Sequence, residues 1–283
     1  MIRIALQKSG RLLEDSLRIL KEAGFKVEYS GGQLISPVVN FPMEVLFLRN
    51  ADIPRYIVDG VVDAGIIGQN LIIEEQAELE TMLPLNFSKC RVSLAVKKDS
   101  TISSIKDFDG KRIATSYPNT VKSYLEKNGV SAEIHEISGS VEIAPNIGLA
   151  DGICDIVSSG TTLFMNGLKE IEVLHYSEAM LVKSPNLSSE KQAILDKVKF
   201  RMETVLKGRN SKYILMNVPN DSIEKVKSLI PGMKSPTILP LAQAGWSSLH
   251  SVISDEQFWD KIDALKSAGA EGILVVPIEK MVL

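Results

Sequence analysis

Glu142–Leu163 reads EIAPNIGLADGICDIVSSGTTL. At its centre is an apolar run, Ile153-Cys154-Asp155-Ile156-Val157, interrupted by one carboxylate. The run ends in five small or hydroxylated residues, Ser158, Ser159, Gly160, Thr161 and Thr162. A buried strand that closes in such a turn and opens a helix suits phosphate: its backbone N–H groups are unobstructed, and the helix N-terminus adds partial positive charge. Asp155 has the wrong sign for phosphate and suits sugar hydroxyls or a phosphate-bound magnesium. Acid and cradle together point to a sugar phosphate. Glu142 opens the stretch after the turn residues Gly139 and Ser140. It either begins a helix over 141–150, where an acid favours the first turn, or enters a cleft beside Asp155. Two facing carboxylates there suit two ribose hydroxyls, or one hydroxyl and a metal.

Working outward, the chain alternates short apolar strands with amphipathic helices. Strands are predicted at 2–6, 45–48, 64–67, 91–96, 112–115 and 132–137, with helices at 11–23, 53–59, 119–128 and 189–206. That βα rhythm predicts α/β lobes built on mostly parallel sheets. A polar stretch, Lys207-Gly208-Arg209-Asn210, marks a domain boundary. Beyond it the order becomes βαββαβ, that of a ferredoxin-like module. Two lobes imply a cleft, the default place for a ligand.

Composition narrows the class. The 283 residues are 45% hydrophobic and 24% charged with a net charge of −3, which fits an ordinary soluble globular protein and no basic nucleic-acid surface. Cys90 and Cys154 lie in apolar runs and lack metal or redox spacing, so reduced buried thiols of a cytoplasmic protein are expected. The three histidines, His135, His175 and His250, are far apart. No apolar run approaches the roughly 20 residues of a membrane span. The N-terminus enters a strand at once and shows no signal peptide.

Other candidate residues cluster at strand ends. Gln7-Lys8-Ser9-Gly10-Arg11 follows the first strand and Arg49 the second, at the C-terminal ends where open α/β sheets bind ligands. Lys8, Arg11 and Arg49 there would neutralise a polyphosphate. Asp63-Ala64-Gly65-Ile66-Ile67-Gly68 is either one wall of a nucleotide pocket or a compact βα turn whose glycines serve packing. Thr115 and Ser116 end another strand; they read as a polar turn unless the fold carries them to the cleft.

With these residues assembled, the chain resembles the ATP phosphoribosyltransferase family. The pattern is carried by Glu142, Gly148, Ala150, Ile153, Asp155-Ile156, Ser159-Gly160 and Thr162-Leu163, with QKSGRL at 7–12, FLR at 47–49, DAGIIG at 63–68 and RIAT at 112–115. Ser235-Pro236-Thr237 and Gly269-Ala270 fit the long, regulated form. The resemblance implies two periplasmic-binding-protein-like lobes: lobe I over 1–90 and 173–207, and lobe II over 91–172. It also implies a regulatory histidine-binding domain over 208–283, and dimers and hexamers of the chain. The implied reaction joins ATP to phosphoribosyl pyrophosphate with Mg2+, under feedback inhibition by histidine. By the same resemblance Ser158–Thr162 hold the 5′-phosphate, while Asp155 and Glu142 hold ribose hydroxyls and either can touch the metal. Lys8, Arg11 and Arg49 face phosphates; Asp63, Gly65, Ile66 and Thr115 line the substrate site. Asn217, Ser235, Thr237 and Gly272 form the effector site. The family often carries a second cation two places after Arg49, where this chain has Ala51. The rival reading is a solute-binding protein of the same two-lobed shape, which expects a signal peptide or lipid anchor and gives no reason for Asp155 before the hydroxyl turn.

Overall fold

Buried strands in this chain carry apolar side chains at consecutive positions, because helices cover both faces of the sheets. In β1 (Ile2–Gln7), Ile4, Ala5 and Leu6 are all fully buried. The computed structural model describes residues 1–230 and 232–283. Two compact units divide them: Met1–Lys21 with Phe25–Asp196, and Glu22–Gly24 with Lys197–Leu283.

In the first unit, β1 is followed by α1 (Arg11–Glu22), β2 (Ile35–Val38), β3 (Met43–Leu48), α2 (Ile53–Val58), β4 (Ala64–Gly68), α3 (Gln69–Glu75) and β5 (Glu80–Pro84). A second series holds β6 (Cys90–Lys97), β7 (Arg112–Thr115), α4 (Pro118–Asn128), β8 (Glu133–Glu136), β9 (Gly152–Val157), α5 (Thr161–Met165) and β10 (Leu168–Ser177). The chain then returns through β11 (Ala179–Lys183) to the first sheet, whose order is β2-β3-β1-β4-β11-β5. The second sheet runs β10-β6-β9-β7-β8. Each sheet is the heart of one lobe.

Neither sheet is mostly parallel, contrary to the expectation from βα alternation. β1 runs parallel to β3 and β4, whereas β2, β11 and β5 pair antiparallel. In the second sheet β7 is parallel to β8 and β9, while β6 runs against β9 and β10. β2 is antiparallel because a short turn joins it to β3; β5, β6, β10 and β11 are the strands on either side of the two crossings between lobes, where the chain comes in from the opposite end. The return also falls later than residue 173, since β10 pairs with β6 as far as Ser177. β2 and β5, also unanticipated, are edge strands; Pro37 in β2 and the exposed ends of β5 hide the apolar pattern.

Alternation along β9 sets the site. Ile153 and Val157 pack with Val141, Ala144 and Leu163, whereas Cys154 faces the opposite layer with Phe108 and Val121. Asp155 sits two residues from each of Ile153 and Val157. It therefore leaves the sheet on the side of the 141–143 turn and α5. The stretch 141–150 is a short 3-10 turn, Val141–Ile143, followed by turns, not a helix.

Gly65 packs α2 onto the sheet. A Cβ there would lie 2.9 Å from Ile53 Cγ2 and 3.1 Å from Ile57 Cδ1. Gly65→Ala is expected to lift α2 and destabilise the lobe by about 1–3 kcal/mol, read as a lower urea midpoint. If its effect instead fell on nucleotide affinity at unchanged stability, Gly65 would belong to the pocket.

α6 (Ser189–Arg209) begins in the first unit and ends in the second, so the division falls inside this helix, ahead of residue 208. The second unit continues with β12 (Ser211–Pro219), α7 (Ile223–Leu229), β13 (Thr237–Pro240), β14 (Trp246–Ser254), α8 (Asp255–Ser267) and β15 (Glu271–Pro277). Its antiparallel order, β13-β14-β12-β15, is ferredoxin-like. Alternate residues Ile214, Met216 and Val218 of β12 meet Leu249 and Ile253 of β14 beneath Val226 and Leu265 of the helices. Ser254 and Gln257 cap α8 reciprocally.

Candidate active site

The strand, turn and helix start predicted from the sequence are formed. β9 ends at Val157, Gly160 takes the left-handed conformation at φ +81°, and α5 starts at Thr161. The hydroxyls of Ser159 and Thr161 lie 2.9 Å apart, tying the turn to the helix start. Among the described residues no protein acceptor takes the backbone N–H of Ser159 or Gly160. Both are free for a ligand oxygen.

Glu142 and Asp155 line the same pocket of about 150 Å³ as Ser158, Ser159, Gly160 and Thr162. Asp155 is half-buried, and one of its oxygens accepts the N–H of Ile156 at 2.8 Å. Burial, with a smaller contribution from the Glu142 charge, pushes its carboxyl up to about 6. A carboxylate held in this way gains from hydroxyl donors or a cation, and a sugar or a phosphate-bound metal supplies either.

Arg91, at the start of β6, holds the turn at Ser158. Its Nη1 donates to the Ser158 carbonyl at 3.1 Å, while Nε and Nη2 grip Glu170 of β10 at 2.5 and 2.6 Å. The Arg91 hydrogen bonds hold the Glu170 carboxyl below the usual range. With its carbonyl pulled toward Arg91, the turn is free to present N–H groups to the pocket.

Lobe I supplies the cations. Lys8 and Arg49 are exposed at the C-terminal ends of the neighbouring strands β1 and β3, where Gln7 lies beside Leu48. Arg11 opens α1 and reaches across the cleft, Nη1 to Ser158 Oγ at 3.4 Å. A cavity of about 280 Å³ lies there, lined by Gln7, Arg11, Asn50, Gly68, Asn70 and Lys89 among others. Asn50 Oδ1 is buried without a hydrogen-bond partner among the described residues.

Four sequence candidates lie elsewhere. Asp63 precedes β4 and sits at the N-terminal end of the sheet, opposite Lys8. It accepts the N–H of Arg3 and the Lys191 ammonium, each at 2.8 Å. Gly65 and the fully buried Ile66 are core. Thr115 is fully buried; its hydroxyl donates to the Cys154 carbonyl at 2.7 Å and accepts from the Tyr117 N–H. The same βα turn does reach the cleft, but through Gly68 and Asn70 at the strand's other end. Sequence reasoning overlooked Arg91, Glu170, Asn50, Asn70 and Lys89. Only the strand-end rule signals any of them, and it favours Gly68–Asn70 over Asp63.

Cys90 and Cys154 are free thiols, both shifted upward by burial, so neither is an activated nucleophile. In the second unit, Asn217 lies against Gly272, whose added Cβ would be 3.3 Å from Asn217 Nδ2. Thr237 pairs with His250 on the far edge strand β13, and Ser235 precedes it. β14 lies between the two pairs, so within one chain they are about 10 Å apart. Among the described residues no helix is long and apolar enough to cross a membrane.

A hydroxyl-rich turn with two carboxylates in one lobe, facing cations in the other, is the arrangement expected of a phosphoribosyltransferase built on a periplasmic-binding-protein-like fold. Comparison with known proteins makes the assignment particular. Residues 49–204 match the family described as ATP phosphoribosyltransferase, and 208–280 match "HisG, C-terminal domain". An ATP phosphoribosyltransferase of Cytophaga hutchinsonii is 55% identical over all of this chain and 99% of its own, and one of Bacteroides fragilis is 51% identical over the full length of both. A solved ATP phosphoribosyl transferase (HisG:HisZ) complex from Thermotoga maritima matches 73% of this chain and 99% of its own, with 28% identity and a TM-score of 0.63. A histidine kinase sensor domain similar to periplasmic binding proteins shares the fold alone, at 12% identity over 73% of this chain and 90% of its own and a TM-score of 0.52. The chain belongs to the ATP phosphoribosyltransferase family, in its long form with the C-terminal domain. It is a pentosyltransferase of the first step of histidine biosynthesis, and the solute-binding reading falls away.

Proposed function

We propose that the cleft between the lobes joins phosphoribosyl pyrophosphate to ring nitrogen 1 of ATP. The sharing of one pocket by Glu142, Asp155 and the Ser158–Thr162 turn carries this reading. The turn holds the 5′-phosphate, and Asp155 and Glu142 accept from the ribose hydroxyls. The nitrogen lone pair attacks the anomeric carbon as the bond to pyrophosphate breaks, with inversion. The attacking nitrogen carries no proton, so no base is needed beforehand, and the rate comes from positioning and from stabilising the leaving group.

Lys8, Arg11 and Arg49 neutralise pyrophosphate and ATP phosphates. Lys89, in the wall of the cavity, supplies the cation that Ala51 lacks. The nucleotide pocket is assigned to Gln7, Asn50 and Gly68, replacing Asp63, Gly65 and Ile66.

Mg2+ fits as a companion of the substrate. Among the described residues no three His, Cys, Asp or Glu side chains converge on one point, but Glu142 and Asp155 can offer oxygens to an ion already held by pyrophosphate. When bound, it offsets charge on the departing group.

Histidine inhibition through the C-terminal unit at Asn217, Ser235, Thr237 and Gly272, homo-oligomers (dimer or hexamer) and a cytoplasmic location complete the proposal. The test mixes purified protein with ATP, phosphoribosyl pyrophosphate, Mg2+ and a pyrophosphatase and follows the absorbance of the phosphoribosylated adenine. Product is expected, at a rate that histidine lowers. Absence of product overturns the reaction, and a rate indifferent to histidine overturns the regulation.

A further inference from the structure

We infer that helix α3 is a strut that sets the opening between the lobes, with Glu74 and Asn70 as positioning residues for both substrates. The inference rests on the two-lobed transferase reading.

α3 belongs to the first lobe, directly after β4. Its residue Glu74 is 5% exposed and has no cation partner among the described residues. It also stands in the last turn of its own helix, where the helix dipole disfavours an acid. A second helix resolves both problems. α4, in the other lobe, begins with Pro118 and has no side-chain cap of its own. Both Glu74 carboxylate oxygens serve as that cap, one accepting the N–H of Asn119 and the other that of Thr120, each at 2.9 Å. The Asn119 side-chain amide donates back to the Glu74 carbonyl at 2.9 Å.

One turn earlier on the same face, Asn70 is 3% exposed and makes a second junction. Its N–H donates to Ser177 Oγ at 2.9 Å, and that hydroxyl donates to Asn70 Oδ1 at 3.0 Å. Ser177 is the last residue of β10, where the chain leaves the second lobe. Five hydrogen bonds from one seven-residue helix therefore join the lobes at two points.

Phosphoribosyl pyrophosphate rests on the second lobe and the phosphate-binding cations on the first, so both ligands need the cleft at its productive width. Loosening the strut lowers the fraction of molecules at that width. Apparent affinity falls by the same factor for every ligand that needs it, whereas the saturated enzyme is affected little. A defect local to one subsite would change one substrate only.

The test compares wild type, Glu74→Gln and Ser177→Ala. The glutamine keeps one acceptor and loses the other; the alanine breaks the second junction without touching Glu74. For both variants the KM values for ATP and for phosphoribosyl pyrophosphate are expected to rise together, by about three- to thirtyfold, with kcat within about twofold. Unchanged KM values, or a rise confined to one substrate, would overturn the strut. If Glu74→Gln does not fold, Ser177→Ala decides by the same readings.

A second readout needs no catalysis. Spin labels at Lys21→Cys and Lys111→Cys report the distance between lobes; Cys90, which hydrogen-bonds Ser177, is kept, and a chain without the two introduced cysteines is carried through the labelling as the control. The distribution should broaden in both variants, and an unchanged distribution in folded variants overturns the inference even if the wild-type chain shows no transferase activity. Loss of wild-type activity with a broadened distribution would instead remove the reaction and leave the strut.

Discussion

Asp155→Asn is expected to stabilise the ligand-free protein at neutral pH and to weaken phosphoribosyl pyrophosphate binding by about a hundredfold or more. Both effects come from one cause. The folded protein holds this carboxyl at about 6, above its ordinary 3.8, chiefly through burial. A raised acid favours folding in its protonated form. Its contribution is complete below about pH 4 and is lost as pH rises through about 6. Above that, the half-buried charge opposes folding, by up to about 2 kcal/mol after allowing for partial solvent contact. Asparagine removes the charge, so its melting temperature at pH 7.5 should be about 2–6 °C higher, and the gap between variant and wild type should close as pH falls from 7 to 4. The asparagine cannot accept two hydroxyls as a carboxylate does, and unpaired polar groups in a bound complex carry a large penalty. Affinity in wild type should therefore rise with pH through about 6, and in the variant it should be low and nearly pH-independent. Calorimetric titration with phosphoribosyl pyrophosphate and thermal melts across pH check both halves. Unchanged affinity in the variant reassigns Asp155 to structure.

Some of this site was readable in residue order and some was not. β9 and its turn were legible because the signal is local: an apolar strand, a run of small residues and a helix start lie within a dozen positions. Lys8 and Arg49 were legible because they follow their strands, and parallel neighbours end together. Asp63 misled because it precedes its strand; a residue before a parallel strand lies at the end away from the ligand, however suggestive the motif it opens. Thr115 misled in another way: it is at the right end, but its hydroxyl closes the gap between β7 and β9. The residues that hold the site in shape left no local trace. Glu74 acts across 45 positions and finds its partner only when both lobes have folded; Arg91 acts across 79, and meets Glu170 only when β10 has paired with β6 in the second sheet. The antiparallel strands β5, β6, β10 and β11 were hidden for a related reason, since their direction is set by where the chain crosses between lobes.

Arg91 brings the largest expected loss among residues that touch no substrate. Its bond to the Ser158 carbonyl orients the phosphate turn, and Glu170 holds the guanidinium in place through two bonds. Arg91→Met keeps the length and apolar stem of the side chain but frees the turn. It also leaves the Glu170 carboxylate without its cation. Both groups are about a quarter exposed, at 27% and 25%, so the stability loss is intermediate between a surface and a buried pair, about 1–2 kcal/mol. The kinetic loss should be larger and selective: the KM for phosphoribosyl pyrophosphate should rise about ten- to a hundredfold, because the N–H groups must be ordered anew on each binding event. The KM for ATP should stay within about twofold, which separates this effect from the joint rise expected of the α3 strut. Glu170→Gln should show a weaker form of the same change, since the amide still accepts one bond from Arg91. If Glu170 acts only through Arg91, the double variant should be no worse in KM than Arg91→Met alone. That non-additivity is the deciding measurement. Additive losses would mean that Glu170 reaches the turn by another route. An unchanged KM for phosphoribosyl pyrophosphate in Arg91→Met would mean that the turn keeps its shape without Arg91.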